Sequence, residues 1–411
     1  MLSSFLNRRL SFAALVLFAA VSGCSKDTAP PAQTFNVNLS SPNELRDRID
    51  ALVDYTLNNR TLNTRDHNAW QIVHGILPYG RDFKIERISP DGKSELIGAL
   101  DWILQGGALN GWTLRPGEKG IIAVVDPGSM SAQGHPDQWI GYLSQCGVKL
   151  DDKVLVQGQE YTIGDIAKQA EWDIYPGMEA CWTLMSFSTF FPYDHTWVNR
   201  DGEKWTMERL EGMEADAPIV GEKASCGGTH RLYGMTVGLN GYMEQAGKTS
   251  DQLTGGWLKG YKVIQDSIRK AREYQQPDGN FSTGFFARPG SSPDVKVTLH
   301  ATGHTLEWLD VALTKEQLQE PWVTAAVNRL CQLLEDNANR ELDCGALYHA
   351  ARGLKLYREK VFGPRGSESP IVARAPADSH GDSIKPAATT AANQPVDDAA
   401  PAPPPGLSSE K

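Results

Sequence analysis

Between residues 42 and 362 apolar side chains recur at three- and four-residue spacing, the period of a helix with one buried stripe, and few stretches alternate as strands do. The helical segments fall into pairs. Asn43 to Asn59 precedes His67 to Leu77, Ser94 to Gln105 precedes His135 to Cys146, and Ile163 to Asp173 precedes Gly177 to Phe191. Trp205 to Ala215 precedes Gly228 to Gln245, Leu258 to Gln275 precedes Val297 to Leu313, and Pro321 to Asp336 precedes Cys344 to Lys360. The first member of a pair carries charge on one face, as in Glu44-Leu-Arg-Asp-Arg-Ile-Asp50. The second is richer in Gly, Trp, Cys, His and small residues, as in Gly177-Met-Glu-Ala-Cys-Trp-Thr-Leu184. Outer helices wrapping inner helices over six hairpins predict an all-α (α/α)6 toroid; the same hairpins left unclosed would give an irregular bundle.

Two stretches break the alternation. Lys153 to Thr162 alternates apolar and polar residues around Gln157-Gly158 and predicts a small β-hairpin insertion. Leu109 to Gln133, with scattered Gly and Pro and the apolar run Ile121 to Val125, predicts a loop with one short strand.

The two ends have a different character. Arg8-Arg9 followed by an apolar run, Leu10 to Ala20, and then Val21-Ser-Gly-Cys24 resembles the bacterial lipoprotein signal. That resemblance implies a signal peptide over residues 1–23 and acylation of Cys24. With Ser25 rather than Asp at the next position, it also implies an outer-membrane address through the lipid anchor. Residues 24–41 read as a flexible tether, 42–362 as the folded domain, and 363–411, rich in Pro and Ala, as a disordered tail.

Charge narrows the partners. A net charge of -10 and an isoelectric point near 5.5 leave no basic stripe for a phosphate backbone, so nucleic acid is excluded as a partner. A small-molecule, isoprenoid or glycan ligand from the envelope is the expected occupant of the bowl.

Gln275-Gln-Pro-Asp-Gly-Asn-Phe281 and Gly227-Gly-Thr-His-Arg-Leu232 resemble the turn and the inner-helix start of the prenyltransferase and squalene-cyclase repeats. The resemblance spans about residues 226–313 and implies an α/α toroid. The Asp-x-Asp-Asp acid motif of the cyclases is absent, and Asp343-Cys344 does not match the prenyltransferases' Asp-x-Cys. Those activities are therefore not carried over.

Seven of the nine histidines, His67, His74, His135, His230, His300, His304 and His349, fall in the second, inner members near their starts. Cys226 with His230, and His300 with His304, are each four residues apart, a spacing that puts both side chains of a pair on one helical face. The four together are the expected ligands of a zinc ion, catalytic if one stands back to leave a place for water. Without the internal Glu of His-Glu-x-x-His, peptidase activity does not follow. Cys226 beside His230 is also a candidate nucleophile, on condition of a depressed thiol pKa.

A second, metal-free reading is glycan hydrolysis or elimination. It takes Glu179 or Asp137 as the acid or base, with His135 beside them as a further catalytic candidate and Trp139, Trp182 and Trp308 as stacking platforms; Glu307, three residues after His304, is another acidic residue of the bowl. A third is a lipid-tethered binding or scaffold domain without catalysis. Beyond Cys24 five cysteines remain, Cys146, Cys181, Cys226, Cys331 and Cys344, and the pair around the last hairpin's turn, Cys331 and Cys344, is the expected disulfide.

Overall fold

Capping chemistry starts most of the helices. Glu44 accepts the backbone N–H of Ser41 at the entry to α1 (Pro42–Asn59), and Asn68 and Gln71 exchange reciprocal bonds of 3.0 Å at the entry to α2 (Ala69–Tyr79). The chain then runs through β1 (Lys84–Ile88), β2 (Ser94–Gly98), α3 (Ala99–Leu104), β3 (Leu114–Pro116), β4 (Ile121–Ala123) and α4 (Gln138–Ser144). Next come β5 (Lys153–Val156), β6 (Gln159–Thr162), α5 (Ile163–Asp173), α6 (Cys181–Phe190), β7 (Thr196–Val198), β8 (Lys204–Thr206) and α7 (Met207–Asp216). The last part holds α8 (Thr229–Ala246), α9 (Gly255–Glu273), α10 (Val295–Ala312), α11 (Lys315–Leu318), α12 (Pro321–Asp336) and α13 (Cys344–Phe362). These elements come from a computed structural model that describes residues 34–221 and 224–365.

The protein is mainly helical, with four separate two-stranded antiparallel sheets inserted between helices. Helix α2 packs on α4, α4 on α6, α6 on α8, α8 on α10, α10 on α13, and α13 back on α2. Burial separates these helices from their partners: α10 buries twelve of its 18 residues, whereas α9 buries five of 19 along one stripe. The amphipathic helices lie outside, α1 against α12 and α13, α7 against α6, α8 and α9, and α12 against α10. Small residues let the inner helices meet closely. A Cβ on Gly303 of α10 would stand 2.9 Å from the backbone of Ala350 in α13, so only glycine permits that crossing.

Several expectations are corrected. Ser94 to Gly98, read as the start of a helix, is strand β2, because its backbone pairs with Lys84–Ile88; the helix begins only at Ala99. Trp205 likewise belongs to β8, opposite Trp197, with the Arg209 guanidinium 3.7 Å above its ring. The hairpin expected at Lys153 to Thr162 is β5–β6, turning on Gln157 and Gly158 with φ of 51° and 82°. Cys331 and Cys344 are free thiols. Helix α12 continues for five residues past Cys331, about 7.5 Å of rise, so Cys331 lies well below the turn that Cys344 closes.

At the amino end, residues 34–41 are not a free tether. Phe35 packs on the core, Asn36 N–H donates to the Pro277 carbonyl (2.7 Å), and Ser40 N–H to Asn328 Oδ1 (3.0 Å). A large apolar residue gives this segment something to bury. The expected signal peptide, Cys24 and the tail from residue 366 lie outside the described residues.

Candidate metal centre

Three inner helices bring histidines to one point. On α10, His300, His304 and Glu307 stand at i, i+4 and i+7 and share a face; on α13, His349 and Arg352 are three apart; His230 is the second residue of α8. Ring centroids of His304 and His349 are 3.8 Å apart, and His230 lies 5.3 and 5.2 Å from them. One ring nitrogen from each of the three falls within 4.8 Å of the others. Tetrahedral zinc with bonds of about 2.0–2.1 Å needs ligand atoms about 3.3 Å apart, so small side-chain rotations would close the set.

The surrounding hydrogen bonds decide which nitrogens are free. His304 Nδ1–H donates to the His300 carbonyl (2.8 Å) and His349 Nδ1–H to Glu307 Oε2 (2.5 Å), leaving a lone pair on each Nε2. Glu307 is held in turn by Arg352 (3.0 Å), which also donates to Tyr233 Oη (3.0 Å). A carboxylate behind a ligating imidazole fixes its tautomer and raises its basicity. Tyr142 Oη sits 3.3 Å from both His74 Nε2 and His349 Nε2, and His74 Nδ1–H is spent on the Trp70 carbonyl. Burial, reinforced by the neighbouring imidazoles, holds His230 and His304 well below the ordinary histidine range and pushes His300 down to about 4. These rings are neutral near pH 7, the form that ligates metals.

Cys226 departs from its expected place. It precedes α8 in a tight turn, Ser225–Gly228, and has left-handed φ and ψ of 47° and 46°, so it does not share a helical face with His230. Gly227 follows at φ 67°, where a Cβ would strike the ring of Phe285. The turn carries the thiol to α10 instead: Cys226, His300 and His304 form a second trio of donors within 4.8 Å. Burial, then the nearby carboxylates of Glu307 and Glu179, push the Cys226 thiol up to about 12. That corrects the nucleophile reading, which required the opposite shift.

The expected acid/base residues divide. His135 Nδ1–H donates to Glu179 Oε2 (2.8 Å), and Ser225 donates to Glu179 Oε1 (2.8 Å) while lying 3.2–3.4 Å from the His135 ring nitrogens. Burial raises the Glu179 carboxyl, but the bonds from His135 and Ser225 outweigh it and hold the group below its ordinary value. The rings of His135 and His230 both pack on Trp182, and Ser225 and Cys226 are consecutive, which ties this pair to the histidine cluster. Asp137 stands apart at the entry of α4, with φ 58°. It accepts from Thr183 (2.5 Å) and lines a cavity of about 520 Å³ with Arg115, Ile140 and Arg200; burial pushes it up to about 6.

Trp139, Trp182 and Trp308, expected as stacking platforms, are fully buried wall residues, Trp308 donating to Thr236 Oγ1 (3.0 Å). The structure brings His230, His300 and His304 near one another, although Cys226 and His230 do not share the helical face that their spacing implied. Spacing missed His349 as a ligand candidate, whose companions are 45 and 119 residues away in sequence. Glu307 carried a usable signal, since seven residues after His300 and three after His304 is one helical face. Compared with protein-family models, with curated proteins and with solved structures, the chain matches none of them.

Proposed function

We propose that residues 42–362 form an (α/α)6 toroid whose bowl is a zinc-dependent hydrolytic site, held at the outer membrane by an acylated Cys24 and acting on an envelope molecule. The closed circuit of contacts from α2 through α13 supports the toroid. Anchoring rests on the signal resemblance alone; among the described residues no helix is long and apolar enough to cross a membrane. One observation carries the catalytic reading: three buried imidazoles, His230, His304 and His349, converge, and two have their free nitrogen set by Nδ1–H bonds.

Three neutral nitrogens leave the full charge of a divalent ion unneutralised, and zinc held so supplies a Lewis acid that lowers the pKa of an adjacent water toward neutrality. Glu307 and Arg352 orient His349. His135, oriented by Glu179, presents its remaining nitrogen as the acid/base group for proton transfer to and from substrate. Trp182, fully buried, packs against the rings of both His135 and His230.

Elemental analysis of the full chain purified with zinc supplied tests the metal. About one equivalent is expected, with loss in His304→Ala. Background metal in the parent overturns the proposal. Turnover is then sought on envelope extract: a product released by the parent and by neither His304→Ala nor His135→Ala is expected. Zinc without turnover would make the bowl a binding site rather than an enzyme.

A further inference from the structure

Two donor sets share one residue. The deep set is all nitrogen, from His230, His304 and His349; the other combines the Cys226 sulfur with His300 and His304. His300 lies one helical turn nearer the start of α10 than His304, with ring centroids 4.2 Å apart, so the two sets are neighbours along that helix. His304 cannot serve both sets at once. Its Nδ1–H is committed to the His300 carbonyl, which leaves a single lone pair for a single cation.

The second set is built by backbone and not by chance contact. Three successive residues, Cys226, Gly227 and Gly228, have φ of 47°, 67° and 92°. Thr229 Oγ1 donates to the Cys226 carbonyl (2.8 Å), and the Phe285 ring closes over Gly227 while standing 5.8 Å from the His300 ring. These contacts aim the thiol at α10. Sulfur with two imidazoles is a donor set for zinc or cobalt(II), which take four ligands without strain.

We infer, building on the metal-binding reading above, that one divalent ion exchanges between the deep position and an outer position where Cys226 binds as thiolate beside His300 and His304. On coordination the thiol S–H bond breaks, the sulfur keeps the electron pair for the metal, and the proton leaves to solvent. The outer position then carries one negative ligand, so the ion there is a weaker Lewis acid than at the all-nitrogen position. Cys226 thereby parks the ion in a less reactive state, and its withdrawal returns the ion to the deep trio.

Cobalt(II) reports the difference, because only a sulfur ligand produces a thiolate-to-cobalt charge-transfer band in the near ultraviolet. Full-length protein, stripped with chelator and given one equivalent of cobalt(II), is expected to show that band. Cys226→Ser and His300→Ala should lose the band while retaining cobalt on the deep trio. His349→Ala, which cripples the deep position alone, should raise the band per bound cobalt above the parent value. Cobalt bound by the parent without the band, or a band that survives Cys226→Ser, overturns the outer position and leaves the deep one standing. Failure of the folded parent to bind cobalt at all overturns both.

Discussion

Glu307 and Glu211 are both buried in helices of this fold, 5% and 0% exposed, and they have opposite surroundings. Glu307 accepts from His349 on one oxygen and from Arg352 on the other. Glu211, on α7, has no hydrogen-bond partner for either oxygen among the described residues; its carboxylate stands beside Gly238 and Gly260, with Glu214 three residues on. Burial, with Glu214's charge added, pushes Glu211 well above the ordinary carboxylate range, so it is a neutral acid in the wall. A buried carboxylate stays charged where other helices bring it cations, and sheds its charge where they do not. Only the first kind can serve a metal ligand.

The largest effect expected from this contrast is on stability. Glu307→Ala leaves the Arg352 guanidinium buried without its counter-ion, and a cost of about 3–5 kcal/mol in urea unfolding is expected. A cost below about 1 kcal/mol would mean that the His349–Glu307–Arg352 chain is not a working network. Glu307→Gln keeps the volume but weakens the hold on His349 Nδ1–H. Metal affinity, measured by chelator competition, should fall about 10–100-fold, the usual cost of losing a group that orients a ligand.

Asp137 tests the same contrast on a carboxyl of intermediate surroundings. Its folded value of about 6 lies above its unfolded one, so the native state holds this proton more tightly than the unfolded chain does. The stabilisation is fully present below about pH 4 and is lost as pH rises through 6. Allowing for screening at a half-buried group, the loss is about 1–2 kcal/mol. Thermal unfolding across that window should show the slope in the parent, and Asp137→Asn should flatten it.

Local signals made much of this readable. Helices α5 and α12 begin and end where the pattern places them, because Thr162 with Asp165 and Pro321 at a first helical position are strong local start signals. His300 and His304 were legible for the same reason, as the i, i+4 relation is local. Pairings across the chain were not. His349 joins the cluster through contacts with residues 45 and 119 positions earlier, and β2 was mistaken for helix because its pairing with β1 competes with helical periodicity over only five residues. The turn at Cys226 was hidden because two glycines and a histidine following a cysteine fit a helix start equally well. Glu211 carries no local sign of its burial. In Met207-Glu-Arg-Leu-Glu-Gly-Met-Glu214 charges surround it, so it looks like part of a solvated face, yet α7 is covered by α6, α8 and α9.

Glu211 also offers the smallest and most diagnostic change. Glu211→Met replaces a neutral, unpartnered acid by a side chain of similar length with nothing to hydrogen-bond. An unsatisfied buried polar group costs about 1–3 kcal/mol, and the close approach of Gly238 and Gly260 will not accept the new shape perfectly, so a net gain of about 1 kcal/mol is expected. The gain has a sign in pH as well. Because the folded value of Glu211 is raised, the native chain holds its proton more tightly, and its contribution is lost as pH rises above the ordinary glutamate value. Glu211→Met should therefore outstrip the parent more at pH 8 than at pH 4, while metal affinity stays unchanged. A destabilised variant, or one whose metal affinity falls as in Glu307→Gln, would show that the wall carboxyl is coupled to the histidine cluster after all and that the two glutamates belong to one system.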